Sequence, residues 1–291
     1  MNVLVLGKNS QIGKELLAIK KPLNLKFFYT SSEDLNIINQ NHIKNYIDKV
    51  KPGVIINFAA YTDVDGAESD EENAFLINSL APEFISSIAS EKNIYFINIS
   101  TDYVFDGEIN RPYDISDLTS PVNIYGKSKL DGELRILKNN KKSIIIRTSS
   151  IFSVHNKNFV KTIFNKLISG ENLNVVDDQK ISMTFAGDLA QMILSLLNFK
   201  ILEKFLNEEE TRIIHYSNVG YTSWYEVALL IKENISSGVK INPVSSISRH
   251  SRALRPKDSR LKLNSGLLRL LSIKSYDWKD RVIKVTRDLN S

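Results

Sequence analysis

The first half of the chain alternates short apolar runs with amphipathic stretches. Residues 2–6 form an apolar run that stops at Gly7, and 25–29 form a second. Residues 41–50 repeat their apolar positions at helical spacing and end before Pro52-Gly53, which predicts a helix with a sharp stop. Residues 54–60 read as a buried strand, 71–92 as a helix carrying Pro82 near its middle, and 94–100 as another strand. Helical spacing returns at 125–137 and strand spacing at 143–148. Strands of this length separated by helices predict an α/β fold built on a Rossmann-type, doubly wound parallel sheet.

The second half is less regular. Helices are expected near 159–168, 188–205, 223–234 and 276–289, and strands near 173–176 and 213–216. No repeat and no Gly/Pro/Ser-rich linker divides the chain. The expected organisation is a dinucleotide-binding domain over 1–150. A mainly substrate-binding region over 151–291 packs against it, with some segments returning to the sheet.

Composition narrows the chemistry. The 291 residues are 42% hydrophobic and 24% charged, which excludes a disordered or collagen-like chain. There is no cysteine, so disulfides, thiolate nucleophiles and cysteine metal sites are excluded. The chain opens on a strand pattern without a basic leader, and no apolar run approaches the ~20 residues of a membrane span. A cytoplasmic protein without a membrane partner is expected. Thirty-eight basic against thirty-three acidic residues give +5, read as a lysine-rich solvated surface. The densest basic stretch holds Arg249, Arg252, Arg255, Lys257, Arg260 and Lys262. Pro256 interrupts it and it contains no aromatic residue, so no nucleic-acid partner is expected. The histidines His42, His155, His215 and His250 are dispersed and have no ligand spacing.

After the first strand the chain reads G-K-N-S-Q-I-G, Gly7 to Gly13, followed by a helix pattern from Lys14. Gly7 permits a tight turn and Gly13 a close helix–strand contact. The helix then offers free N–H groups to a phosphate. Ser10 stands where a middle glycine is frequent, and being small it still lets a phosphate approach. The end of the second strand, Tyr29-Thr30-Ser31-Ser32, carries no acid to hold a ribose 2′-hydroxyl. NADPH is therefore favoured, with NADH possible, and Lys8 is the available cation for a 2′-phosphate.

Tyr125 and Lys129 lie four apart at the start of a helix pattern, on one face. A phenol titrates near 10, and bringing it near neutrality takes ~3 units, about 4 kcal/mol. A neighbouring ammonium and a cationic nicotinamide can supply this. Such a phenol can give a proton to a carbonyl oxygen as hydride reaches the carbon. Ser100-Thr101 closes the preceding strand at the edge where ligands of such sheets bind.

The longer motifs are N-F-A-A-Y-T-D-V-D-G-A-E at 57–68, S-T-D-Y-V-F-D-G at 100–107, and P-V-N-I-Y-G-K-S-K-L-D-G-E at 121–133. R-T-S-S at 147–150, N-F at 158–159, D-Q at 178–179 and R-P-K-D-S-R-L at 255–261 follow. In this order, over nearly the whole chain, they resemble the dTDP-4-dehydrorhamnose reductase family of extended short-chain dehydrogenase/reductases. The resemblance implies reduction of the 4-keto group of a nucleotide-linked 6-deoxyhexose, giving dTDP-L-rhamnose for cell-surface polysaccharide, by a monomer or homodimer. It implies Thr101, Tyr125 and Lys129 as catalytic residues. Ser10, Gln11 and Ile12, framed by Gly7 and Gly13, would touch the cofactor phosphates. Asn36 and Ile37 would flank its adenine, and Ala60, Tyr61 and Thr62 its adenosine half. Ile99, Tyr125 and Lys129 would also touch the cofactor. Thr101, Asp102, Ser150 and Arg255 would meet the substrate.

Three departures stand out. Ser150 replaces a common tryptophan, which widens the sugar pocket. Ile181 and Met183 replace a glycine and a proline in D-Q-K-I-S-M-T, which alters the expected course of that loop. Some members bind Mg²⁺ through glutamates; Glu15 matches one position, but Gly187 stands at another, so no metal site is expected. The alternatives are a related reductase for another nucleotide sugar and a non-catalytic NADP-binding subunit, as in the methionine adenosyltransferase beta subunit. The Thr101–Tyr125–Lys129 set argues against the second.

Overall fold

The apolar runs of the first half become strands β1 (Asn2–Leu6), β2 (Lys26–Thr30), β3 (Val54–Asn57), β4 (Tyr95–Thr101) and β5 (Ser143–Thr148). The structure, a computed structural model, describes residues 1–208, 212–248 and 251–291; Arg249 and His250 lie outside them. Among the described residues the strands form one parallel sheet in the order Ile213–Tyr216, β5, β4, β3, β1, β2. The direction of winding reverses between β1 and β3, so a crevice opens beyond the carboxyl ends of those strands.

Two layers cover the sheet. On one face Ile12 and Leu16 pack with Ala186, Leu189 and Ile193. On the other, Ile43, Ile47, Ile85, Ile88 and Ile136 share a core with Leu4, Leu6 and Ile145. The second half divides its apolar residues. Helix Ala186–Leu196 and strand Ile213–Tyr216 join the sheet core, while Phe152, Val160, Phe164, Val227, Ile231, Trp278 and Val282 build a separate core. Parallel pairing of Leu173–Val176 with Ile241–Val244 belongs to this second lobe. Among the described residues no helix is long and apolar enough to cross a membrane.

Several boundaries differ from the periodicity, each for a local reason. β3 stops at Asn57 because its side chain accepts from Ala59 N at 3.1 Å and donates to Asn98 Oδ1 at 2.8 Å, turning the chain out of the sheet. The helix after the glycine turn begins at Gln11 rather than Lys14, since Ser10 caps it. The helix expected over 188–205 is two, Ala186–Leu196 and Phe199–Glu208, and Asn198 accepts from Lys200 N at the restart. Two-residue pairings such as Ile151–Phe152 with Thr184–Phe185 escape any period-based reading.

The 71–92 stretch is helical with a wide turn inside it. Glu71–Phe75 passes into a π-helical turn, Leu76–Leu80, and then into Ala81–Glu91. Pro82 sits at the beginning of the last segment, where its missing N–H costs little. The turn holds Asn78 buried. Its amide accepts from Tyr61 N (2.9 Å) and donates to Tyr61 O (3.0 Å) and Ser128 Oγ (3.0 Å), fixing the loop after β3 to helix Ile124–Asn139.

That helix is fastened to β5 by an ion pair shut away from water. Arg147 Nη2 donates to Glu133 Oε2 at 2.7 Å and Nε to Oε1 at 3.0 Å, with side chains 4% and 1% exposed. The Arg147 guanidinium also faces the Phe105 ring at 5.2 Å. Breaking one side leaves a buried charge alone. Glu133→Gln is expected to lower unfolding stability by about 3–5 kcal/mol, read from the midpoint of urea denaturation. A loss under about 1 kcal/mol, the range of exposed pairs, would contradict this account.

Candidate active site

The turn after β1 brings three backbone segments together. Gly7 has φ +85°, and a Cβ there would lie 2.8 Å from Ala59 N; one on Gly13 would lie 2.6 Å from Gly7 O. The Ser10 hydroxyl accepts from Gly13 N at 3.0 Å and caps the helix, leaving its own proton to donate. No acid occupies the first helical turn. The helix start therefore presents free amides and a hydroxyl proton to an anion.

These groups border a cleft of about 450 Å³ at the carboxyl edge of the sheet. The cleft collects Ser10, Gln11 and Ile12 from the turn, Ala60 and Thr62 from beyond β3, and Ile99, Thr101 and Asp102 from β4 and its end. Tyr125, Lys129 and Ser150 complete the wall, with Met183 of the altered loop. The Gln11 side chain reaches the second half, donating to Ile151 O (3.3 Å) and accepting from Asn158 Nδ2 (3.0 Å). A crevice with amide donors at one end and hydroxyl and ammonium groups at the other fits the pyrophosphate and ribose of a dinucleotide.

Gly7 and Gly13 shape the turn without lining the cleft themselves, and four further expected residues do not line it either. Asn36 is exposed and its side chain accepts from Ile38 N. Ile37 packs half-buried against the core of the sheet face that holds Ile43 and Ile47. Tyr61 has its backbone held by Asn78. Arg255 forms an ion pair with Asp65 at 3.0 Å and also bonds Ser251 and Ala253 O. Asp65 is held well below the usual carboxylate range, Arg255 contributing first. Arg255 also interacts with Tyr103, whose ring meets Tyr125 edge-on at 5.9 Å.

The end of β2 also differs from the reading. Its four residues carry no acid, but Asp34 folds back onto them. It accepts from Ser31 N and Ser31 Oγ at 2.8 Å and from Lys8 Nζ at 2.6 Å. The Lys8 bond and the two Ser31 bonds hold its carboxyl well below the ordinary value. Lys8, read as the cation available to a 2′-phosphate, is paired with Asp34. The S-x-x-D spacing of 31–34 is the signal that could have revealed it.

Thr101, Tyr125 and Lys129 come together, and their charges are set differently from expectation. Burial pushes the Tyr125 phenol up to about 12; its hydrogen bond with Thr101 pulls it down and the Asp102 charge pushes it further up. The Lys129 ammonium donates to Ile99 O at 2.6 Å. Burial lowers it to about 8, against the upward pull of Glu133. Burial thus pushes both groups towards their neutral forms in the chain by itself, whereas the expected lowering of the phenol also called on the charge of a bound nicotinamide. Burial acts on both groups in the direction that removes charge.

Thr101 Oγ1 donates to Asp102 Oδ1 at 3.0 Å and accepts from Tyr103 N at 3.2 Å. Asp102 Oδ2 accepts from Ser149 Oγ at 2.7 Å. Burial pushes this carboxyl up to about 6, and bonds from Ser149, Ser259 and Thr101 restrain it. Ser149 and Ser259 lie within the R-T-S-S and R-P-K-D-S-R-L motifs, but the sequence assigns them no role. His215 is buried with Nδ1 3.1 Å from Tyr113 O, and burial takes it down to about 3. Burial raises the Glu15 carboxyl, with Lys284 opposing. Among the described residues no group of three or more His, Asp or Glu is placed to hold a metal ion.

The whole chain, residues 1–291, matches the family described as RmlD substrate binding domain. A dTDP-4-dehydrorhamnose reductase of Aggregatibacter actinomycetemcomitans is 33% identical, the match covering 98% of each chain. The crystal structure of a dTDP-4-dehydrorhamnose reductase from Clostridium acetobutylicum superposes with a TM-score of 0.90 at 32% identity, covering 100% of both chains. The enzyme of that name from Bacillus anthracis, solved in complex with NADP, gives 0.88 at 31% identity over 99% of each. With the parallel sheet, the glycine turn and the Thr101–Tyr125–Lys129 cleft, these matches establish that the chain belongs to the dTDP-4-dehydrorhamnose reductase family.

Proposed function

We propose that this chain uses NADPH to reduce the 4-keto group of dTDP-4-dehydrorhamnose to dTDP-L-rhamnose, in the cytoplasm, for polysaccharide precursor synthesis. The observation that carries the reading is the cleft that gathers a protonated phenol, its hydroxyl partner and a buried ammonium at the carboxyl edge of the sheet. Family membership supports the substrate and the coenzyme.

The amides that follow Gly7, with Ser10, Gln11 and Ile12, hold the pyrophosphate, and Gly13 keeps the helix close enough to do so. Ala60, Thr62 and Ile99 border the coenzyme, and Lys129 holds the nicotinamide ribose with the N–H groups that Ile99 O leaves free. The hydride for C4 comes from the bound coenzyme. Tyr125 gives its proton to the oxygen left on C4, and Lys129 stabilises the resulting phenolate. Thr101 orients the carbonyl; its single hydroxyl proton is committed to Asp102 while that carboxylate is ionised. Ser150 leaves room beside the sugar. A second, mainly apolar cleft of about 600 Å³ shares Phe159 and Trp224 with the first and suits the nucleoside end. The chain acts as a monomer or homodimer, without nucleic-acid or membrane partners.

Coenzyme oxidation with the keto sugar nucleotide, followed by product analysis, tests this reading. Tyr125→Phe is expected to lower kcat by about 10²–10⁴-fold while NADPH still binds by fluorescence titration. Full turnover in that variant would remove the proton-donor assignment.

The pH dependence follows from Lys129. Its folded value lies below the free lysine value, so the ammonium is present at low pH and is lost as pH rises through about 8. A decline of kcat/KM above that pH is expected, absent from the residual activity of Lys129→Met. A wild-type profile that stays flat into the ordinary lysine range would rule this out.

Lys8 and Asp34 control coenzyme choice through their ion pair. Asp34→Ala frees Lys8 for a 2′-phosphate and should raise the NADPH/NADH ratio of kcat/KM about tenfold, the worth of one charge-assisted hydrogen bond. Lys8→Ala should lower that ratio. Equal ratios in all three proteins would show that the pair stands apart from the adenosine ribose.

A further inference from the structure

The sugar nucleotide proposed above brings a diphosphate into the cleft, and charge taken out of water needs a charged partner. The cation expected to meet it, Arg255, is held by Asp65 and does not line the cleft. Among the described residues, the charged side chains that line the two clefts are Asp102, Lys129, Lys157 and Lys166. Lys129 is buried and donates to Ile99 O, and Lys166 is paired with Glu171 at 3.0 Å. Lys157 is exposed on the wall of the first cleft and, among the described residues, has neither an ion pair nor a hydrogen bond.

Its neighbours fix the place from which that ammonium reaches out. Asn156, at a left-handed φ of 55°, donates to Asn9 O at 2.7 Å and accepts from Lys14 Nζ at 2.6 Å, which ties the segment to the glycine turn. Asn158 donates to Gln11 Oε1 at 3.0 Å and to Ser153 O at 2.8 Å, and it caps helix Phe159–Ile168. The backbone of Lys157 is therefore clamped on both sides while its side chain has no partner. Two positions on, Phe159 borders both clefts, its ring 4.5 Å from that of Trp224. Lys157 thus lies on the cleft that holds Tyr125, close to its junction with the apolar cleft assigned to the nucleoside. A diphosphate joins sugar to nucleoside, so it crosses that junction. The coenzyme's own pyrophosphate is met by the amides and the Ser10 hydroxyl of the glycine turn, which leaves Lys157 to the substrate.

We propose that Lys157 is a specificity-determining residue for this reaction, its ammonium pairing with the diphosphate of the sugar nucleotide. The assignment rests on the reductase reading. A lysine suits the place because a compact charge on a four-carbon stem can follow the diphosphate as the substrate settles. The pair takes no part in hydride or proton transfer, so it strengthens ground state and transition state alike.

The test uses the full chain, with dTDP, thymidine and NADPH as probes. By titration calorimetry, Lys157→Ala should weaken dTDP about tenfold, the worth of one charge-assisted hydrogen bond, and leave thymidine and NADPH as in wild type. Lys157→Arg, which keeps the charge, should recover most of the dTDP affinity. In steady-state assays with the keto sugar nucleotide, the loss in Lys157→Ala should fall on KM rather than on kcat. Unchanged dTDP affinity in Lys157→Ala, an equal loss for thymidine, or a loss confined to NADPH would each overturn the assignment and leave the reductase reading standing. Wild type that neither binds dTDP nor oxidises NADPH with the keto sugar nucleotide would overturn both.

Discussion

Glu133 and Arg147 meet where water is excluded, and the arrangement of the site depends on that meeting. Glu133 lies one turn beyond Lys129 on helix Ile124–Asn139, and Arg147 lies two residues before Ser149 at the end of β5. The pair therefore ties the helix that presents the phenol and the ammonium to the strand that presents Thr148 and Ser149. Two charges this deep stabilise only while they face one another. The helix is thus held in one position against the sheet, which a purely apolar contact, tolerant of sliding, would not ensure. Asn78 reinforces it from the other side by bonding Ser128 and the loop at Tyr61.

Exclusion of water also sets the acid–base character of the cleft. It lowers Lys129, raises Tyr125 and raises Asp102, in each case towards the neutral form. A reductase needs a phenol that arrives protonated, and burial provides it. The same burial makes the phenolate formed during reaction costly. In the proposed reaction the Lys129 ammonium offsets that cost. In the same low-dielectric region the Thr101 and Ser149 hydroxyls both bond the Asp102 carboxyl, while the neighbouring buried Ser100 hydroxyl has no partner among the described residues.

At the glycine turn and the end of β2, by contrast, charges are exposed. Asp34 is ionised and folded back on Ser31 at the end of β2 and on Lys8 in the glycine turn. The Lys8–Asp34 pair proposed to tune coenzyme choice is solvated, whereas the groups proposed for the chemical step are buried. That contrast explains why single substitutions are expected to tune coenzyme choice without disturbing the fold.

Much of this was legible in the chain before its folding was known. The runs at 2–6, 143–148 and 213–216 are strands as read, since strands covered on both faces are rich in Val, Ile and Leu, with polar residues such as Arg147 admitted where they are paired. The turn from Gly7 to Gly13 and the Tyr125–Lys129 spacing were visible because backbone geometry and helix pitch act over a few residues. Tertiary structure decided the rest. It curled Asp34 back to Lys8, split one expected helix at Asn198, and placed a π-turn ahead of Pro82. It drew Arg255 to Asp65, away from the cleft wall. It surrounded Asp102 with hydroxyls from three separate segments. Local pattern fixes which face a side chain occupies, but burial and partnership are sums over segments far apart in sequence, and so the titration of Tyr125, Lys129 and Asp102 emerges only when the chain is folded.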